Sequence, residues 1–161
     1  MIVVSDTSPI VNLAAVGQLE LLRQLYEKVV LPQAVYEEIL SAGTGQPGAT
    51  EVTTFDWIET KPVENRTVVA SLELELDPGE AEAIALAIEL KAELLLLDER
   101  KGRIVASHLG LKFIGVLGIL IEAKYKALIP AVKPIVDDLI QKAGFWISQQ
   151  LYDFVLQTAG E

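Results

Sequence analysis

The chain has no cysteine and only one histidine, His108, among its 161 residues. Disulfides and thiolate metal sites are thereby excluded, and any ion would have to be held by oxygen donors. Basic side chains are also scarce: 13 Lys and Arg stand against 23 Asp and Glu, a net charge of −10. That balance argues against a protein that grips nucleic acid over its whole surface, since such binding runs on cations displacing counterions. No apolar run approaches the roughly 20 residues a membrane helix needs. The apolar start Ile2-Val3-Val4 is cut off by Ser5-Asp6 and has no basic leader, so neither a membrane span nor a signal peptide is expected. Together with the missing cysteine, this makes a cytoplasmic location the expectation. A chain of this length, 51% hydrophobic, suits one compact domain over residues 1–161.

What is present is an alternation of short apolar runs and helical patterns. Ile2 to Ser5 reads as a strand, and Ser8-Pro9 as a helix start with serine as cap and proline just inside. Gly17 ends that helix, and a second is expected from about Gln18 to Tyr26. Val29-Val30 reads as a strand or extended link, and Pro32 opens a helix that Gly43 closes. Residues 43–54 hold three glycines and a proline and read as a loop, while Trp57-Ile58 and Val68-Val69 suggest short extended pieces.

From Asp77 the rhythm is helix 78–91, strand 93–97, helix 102–109, strand 112–115 and helix 116–127, which indicates a parallel sheet. Leu94 to Leu97 is apolar without alternation, as a central strand covered on both faces by helices requires. Two amphipathic helices, about 132–143 and 148–158, finish the chain.

Four carboxylates stand at positions where chemistry is favoured. Asp6 and Asp98 follow apolar strands, and ligands of open α/β sheets bind outside the carboxyl ends of strands. Each acid also has a plain structural explanation. In Asp77-Pro78-Gly79-Glu80 the spacing is that of a capping box, which makes Glu80 a cap partner or a ligand. Asp6 is a turn or helix-start acid on the same footing, and Asp98 an exposed strand-end acid paired with its basic neighbours. Helical phase places Glu38 at the edge of the stripe Val35, Ile39 and Ala42, with Glu37 toward solvent. A cluster of such acids repels itself unless a cation holds it together. Oxygen-only donors select a hard ion, Mg2+ or Mn2+, and the matching chemistry is metal-assisted attack of water on a phosphodiester.

The motifs Val4-Ser5-Asp6-Thr7-Ser8-Pro9-Ile10, Leu31-Pro32-Gln33-Ala34-Val35-Tyr36-Glu37-Glu38-Ile39, Gly79-Glu80-Ala81-Glu82-Ala83-Ile84-Ala85-Leu86-Ala87 and Leu97-Asp98-Glu99-Arg100-Lys101-Gly102-Arg103 resemble, in order, the acidic motifs of PIN (PilT N-terminus) domains. The resemblance runs from Met1 to about Lys126, and is strongest to short prokaryotic VapC-like or nucleic-acid-binding members. It implies a three-layer α/β/α sandwich and a Mg2+- or Mn2+-dependent endoribonuclease of toxin–antitoxin type, commonly dimeric and restrained by an antitoxin protein. By position, Asp6, Glu38, Glu80 and Asp98 match the family's metal-site acids, and Ser8 its small hydroxyl residue. One departure stands out. Many active members carry threonine or serine two residues before the fourth acid and an acid or amide three after it, where this chain has Leu96 and Lys101.

That departure and the acidic balance support an alternative, a catalytically weak PIN-like module that binds nucleic acid or a protein partner without cutting it. A receiver-like domain is the weaker third reading, because the paired acids at its first strand end are missing. Six of the 13 basic residues, Arg100, Lys101, Arg103, Lys112, Lys124 and Lys126, follow closely on Asp98. They form either a local RNA-binding patch or scattered solvated charges. His108 is read as structural, or as a phosphate contact beside Arg100 and Arg103. The residues after about Pro130 lie outside the core motifs. Phe145-Trp146-Ile147 with Leu151, Phe154 and Val155 is expected to pack on the core or on a dimer partner, core packing being preferred.

Overall fold

The computed structural model describes residues Met1–Glu161. Five strands form one sheet: β1 (Val3–Ser5), β2 (Val29–Pro32), β3 (Ile58–Lys61), β4 (Leu94–Leu96) and β5 (Phe113–Ile114). Every pairing is parallel, and the order is β3-β2-β1-β4-β5. The chain therefore builds outward from β1 in one direction, then returns to β1's other side for β4 and β5. The reversal between β1 and β4 opens a crevice at their carboxyl ends.

Ten helices complete the chain: α1 (Thr7–Ala15), α2 (Glu20–Tyr26), α3 (Gln33–Ser41), α4 (Ala49–Thr54), α5 (Arg66–Leu72), α6 (Pro78–Leu90), α7 (Arg100–His108), α8 (Val116–Tyr125), α9 (Lys133–Lys142) and α10 (Gln149–Thr158). Successive strand residues point to opposite faces, and both faces are apolar. Val3, Val29, Leu31 and Leu96 join the core under α1, α2, α8 and α9, whereas Val4, Val30, Leu95 and Leu97 join the one under α5, α6 and α7. The architecture is a three-layer α/β/α sandwich.

Local chemistry explains where the elements depart from expectation. The first helix starts at Thr7 with Asp6 in the cap position, not at Ser8, and Pro9 still falls in the first turn, where its missing N–H costs nothing. Val68-Val69 is helical, because Asn65 accepts from the Val68 N–H (3.2 Å) and caps α5. That cap overrides the β preference of two valines. The glycine-rich stretch contains α4, entered through Gly48 at φ +89° and anchored by buried Val52.

In the C-terminal part, the cap residue Val132 and Ile135, Val136 and Leu139 of α9 pack into the first core, while α10 buries only Val155. Trp146 and Phe154 are 84% and 61% exposed, which corrects the expectation that the whole aromatic stripe packs inward. The basic patch is also smaller than the sequence suggested. Lys124 pairs with Glu161 and Lys126 with Glu122, which leaves Lys112 and the α7 residues Arg100, Lys101 and Arg103.

One buried acid has a purely structural post. Glu82, 7% exposed, accepts from the Ala34 N–H and from Arg66 Nη1, both at 3.0 Å, and so ties α3 and α5 to α6. Glu82→Ala is expected to cost about 1–3 kcal/mol in urea denaturation, since it orphans a half-buried N–H. Glu37→Ala, on the exposed face of α3, should stay within about 0.5 kcal/mol.

Candidate functional site

The acids meet at the crevice between β1 and β4. Asp6 is 4% exposed, and its own N–H donates to Leu96 C=O at 3.0 Å, which fixes the β1 end against β4. Its carboxyl is pushed up from 3.8 to about 7, chiefly by burial. The Thr7 N–H opposes that rise, and the nearby carboxylates of Asp77, Glu38 and Glu99 add to it.

Glu80 enters from the first turn of α6. Its N–H donates to Asp77 Oδ1 at 2.8 Å, one half of the capping box. The other half is not made. Glu80 Oε2 is buried and has no hydrogen-bond partner at all, an expensive state for a carboxylate oxygen. Burial first, and then the Asp77 carboxyl beside it, push this group upward too.

Two glycines make room for these acids. A Cβ on Gly79 would sit 2.8 Å from Glu38 Oε2 and 3.4 Å from Asp6 Oδ1, and one on Gly102 would sit 2.8 Å from Glu80 Oε2. Glycine inside α7 costs helix stability on the order of 1 kcal/mol, and the space it leaves is taken by Glu80 and Leu97.

Glu38 is exposed on α3, not half-buried as its phase suggested, yet its carboxylate turns toward Asp6 and accepts from Thr7 Oγ1 at 2.8 Å. Glu37 instead accepts from Gln33. The hydroxyl of Ser8 accepts from Asn12 at 3.0 Å. Thr7, passed over in the sequence, is therefore the hydroxyl that touches an acid of the cluster.

Asp98 stands somewhat apart. It forms no ion pair with its basic neighbours; both its oxygens accept from the Val116 N–H (3.1 and 3.3 Å) at the start of α8. Burial raises its carboxyl, and that N–H and the Arg103 charge pull it back. A cavity of about 250 Å³ at the crevice is lined by Asp6, Thr7, Ser8, Asn12, Glu38, Asp77 and Glu99 among others, with no basic side chain. Asp98 faces a larger neighbouring groove together with Arg100, Arg103 and His108. Glu99 and Asp77 are thus cluster members that sequence reading missed. The signal for Glu99 was its place directly after the strand-end acid, one step further along the same turn.

Lys101 is exposed and lines neither cavity, and Leu96 is fully buried in the core beneath α1 and α8. The donors lining the cavity are all oxygen with no basic side chain among them, and the orphaned Oε2 of Glu80 lies nearby, outside that lining, in the space left by the missing Cβ of Gly102. By charge and donor chemistry the cavity fits a hard divalent cation. No three of its acids stand close enough to hold one ion in the present arrangement.

The raised Asp6 group has a consequence for stability. Its folded value of about 7 exceeds the ordinary 3.8, so the folded protein binds more protons between those values. Stability is then lost as pH rises through that window. Without metal, melting is expected roughly 5 °C or more lower at about pH 8 than at about pH 5.5, and Asp6→Asn should remove part of the difference, the rest belonging to Glu80, which burial pushes up to about 8. Scanning calorimetry in EDTA checks this; a melting point that rises with pH in the wild type would refute the charge-crowding account.

The comparisons with known proteins bear on the fold and the family. No curated protein matches the chain. Among solved structures, a PilT N-terminus domain protein, SSO1118, from the hyperthermophilic archaeon Sulfolobus solfataricus P2 matches with a TM-score of 0.54 at 21% identity. The match covers 76% of this chain and 93% of that one, and at this identity it speaks to the fold. The family model DUF3368, described as a PIN domain, matches residues 2–161, nearly the whole length. The parallel five-stranded sandwich with acids at its switch point belongs to the PIN-domain family, whose fold is generally that of nucleases.

Proposed function

We propose that the protein is a Mg2+- or Mn2+-dependent endoribonuclease of toxin–antitoxin type, hydrolysing RNA phosphodiesters at the β1–β4 crevice. The observation that carries the reading is buried Asp6 in a cavity lined by Glu38, Asp77 and Glu99 and by no basic side chain, with the orphaned, buried Oε2 of Glu80 near it against Gly102 of α7. Such an arrangement is stable only when protonated or when a cation replaces the missing partners. When bound, the cation supplies an activated water and charge neutralisation at the phosphate.

The residues divide the remaining work. Asp6 and Glu80 would hold the ion, with Glu38 completing the acidic rim while Thr7 fixes its carboxylate. Glu99 faces the same cavity and serves as the fourth acid more directly than Asp98. Asp98, bonded to the Val116 N–H, holds the start of α8 and the position of the Glu99 turn. Restraint by an antitoxin and a homodimeric state belong to this reading, and exposed Phe154 on α10 supports a second chain. No helix is long and apolar enough to cross a membrane, which agrees with a cytoplasmic site of action.

The second reading, a module that binds without cutting, is favoured by the lack of three converging acids and by Leu96 at the family's hydroxyl position. The two readings separate in one experiment. With Mn2+ the wild type is expected to cleave single-stranded RNA, and Asp6→Asn or Glu80→Gln to reduce the rate at least 100-fold, on the order of 3 kcal/mol. Glu99→Gln should cost more activity than Asp98→Asn, whose main loss is expected in thermal stability. Mn2+ should also raise the melting temperature of the wild type and not that of Asp6→Asn. A wild type that neither cleaves nor responds thermally to Mn2+ leaves the binding-module reading.

A further inference from the structure

The acid cavity shares Ser8, Asn12 and Glu99 with a second, larger groove of about 1140 Å³. One side of this groove is α7, which contributes Arg100, Arg103 and His108, and the opposite wall carries Trp146. Local structure explains why the indole is there. The N–H of Phe145 donates to Leu139 C=O at 3.0 Å, and the chain then runs without helix to the Ser148 cap of α10. Along that short link Phe145 and Ile147 turn toward the core while Trp146 turns away, leaving it 84% exposed. An indole left in water is a large unspent contact surface.

The groove's arginines are held in no ion pair, although Asp98 and Glu99 line it with them and the Arg103 charge reaches Asp98. Of the four arginines, Arg23 and Arg66 are ion-paired with Glu20 and Glu82, and the two that line the groove form no ion pair. Arg103 lies 5.0 Å from the Phe113 ring centroid, and that stacking holds its guanidinium on the groove wall. Free cations, an exposed aromatic ring and a shared boundary with the acid cavity are the elements of a single-strand channel. Cations track the phosphates, and the ring accepts the face of any base.

Resting on the nuclease reading of the crevice, we propose that this groove seats the unpaired strand of an RNA next to the scissile phosphate, with Trp146 as the stacking platform for one base and Arg100 and Arg103 as phosphate contacts. The substrate class is therefore single-stranded RNA with little base preference at that position. A duplex, whose bases are stacked on each other, does not offer a free face to Trp146.

The test is anisotropy of a fluorescein-labelled oligouridylate in Ca2+, together with Mn2+-supported cleavage of the same RNA. Wild type, Trp146→Ala, Trp146→Phe and Arg103→Gln are compared. Trp146→Ala is expected to weaken binding about tenfold, with the loss in cleavage falling on KM, and Trp146→Phe to restore most of it. Arg103→Gln should weaken binding and reduce its salt dependence. Because Trp146 is exposed, its replacement leaves the cores untouched. If Trp146→Ala binds and cleaves as the wild type does, the groove proposal is overturned while the nuclease reading survives, and the groove is left to a protein partner. A wild type that does not bind the oligouridylate overturns it as well. If binding depends on Trp146 but nothing is cleaved, the groove proposal stands and the nuclease reading falls.

Discussion

Carboxylates from four separate segments, the β1 end, α3, the start of α6 and the turn after β4, gather at the sheet's switch point with no basic side chain lining their cavity, Asp6 and Glu80 buried and Glu38 and Glu99 exposed at the rim. Burying like charges in this way costs several kcal/mol per ion unless they are neutralised by protons or by a metal. The surrounding structure is arranged to impose that cost. Parallel pairing of Val4 with Val30 and with Leu95 keeps β1 in the centre of the sheet, so Asp6 is almost wholly buried and meets solvent only through the crevice. The Asp77 cap holds the first turn of α6 in place, and the glycines at 79 and 102 remove the methyl groups that would push Glu38, Asp6 and Glu80 apart. The fold supplies the stability from its two apolar cores and keeps the strain at the crevice.

The remaining acids show by contrast what an ordinary structural carboxylate looks like here. Glu82 accepts from Ala34 and Arg66, Glu89 accepts from the N–H groups of Glu64 and Asn65, and Glu161 closes α9 through the Val132 and Lys133 N–H groups. Each is satisfied and each ties two elements together. By that standard Asp98 shares their role, because the Val116 N–H is its partner, whereas Glu80 does not. Hydrogen-bond satisfaction, more than burial, separates the acids that hold the fold from those left over for an ion. Glu82 and Glu80 are equally buried at 7%, and they differ only in what their oxygens meet.

Much of this arrangement was legible in the chain because the signals were local. Four leucines in a row followed by an acid specify a central strand and its end, and Asp77-Pro78 specifies a helix start. The layers follow from those. What was missed lay in interactions that no local pattern encodes. The valines at 68 and 69 became helical through a cap three residues earlier, and α4 is held by Val52 against a core formed from distant helices. In the site, Glu80 looked like half of a reciprocal capping box, and only three-dimensional placement shows its side chain turned toward α7. The roles of Asp98 and Glu99 likewise depend on where α8 begins, since the Val116 N–H bonds Asp98 while Glu99 faces the acid cavity.

Helix α7 joins the parts of the molecule that would act on a substrate. Its buried face carries Gly102 and Ala106, four residues apart, and the missing side chain at Gly102 gives Glu80 its place. Glu99, at the cap position, reaches the acid cavity, while Arg100, Arg103 and His108 line the outer groove. One helix therefore sets the distance between a zone that demands a cation and a zone that offers cations to an anion. In a chain of net charge −10 these two unpaired arginines, balanced by Asp98 and Glu99 in the same groove, are the cations a polyanion's phosphates meet next to the acids. Phosphates guided along α7 arrive where charge neutralisation is missing, so the electrostatics that make the crevice costly to fold also set the direction from which it can be filled.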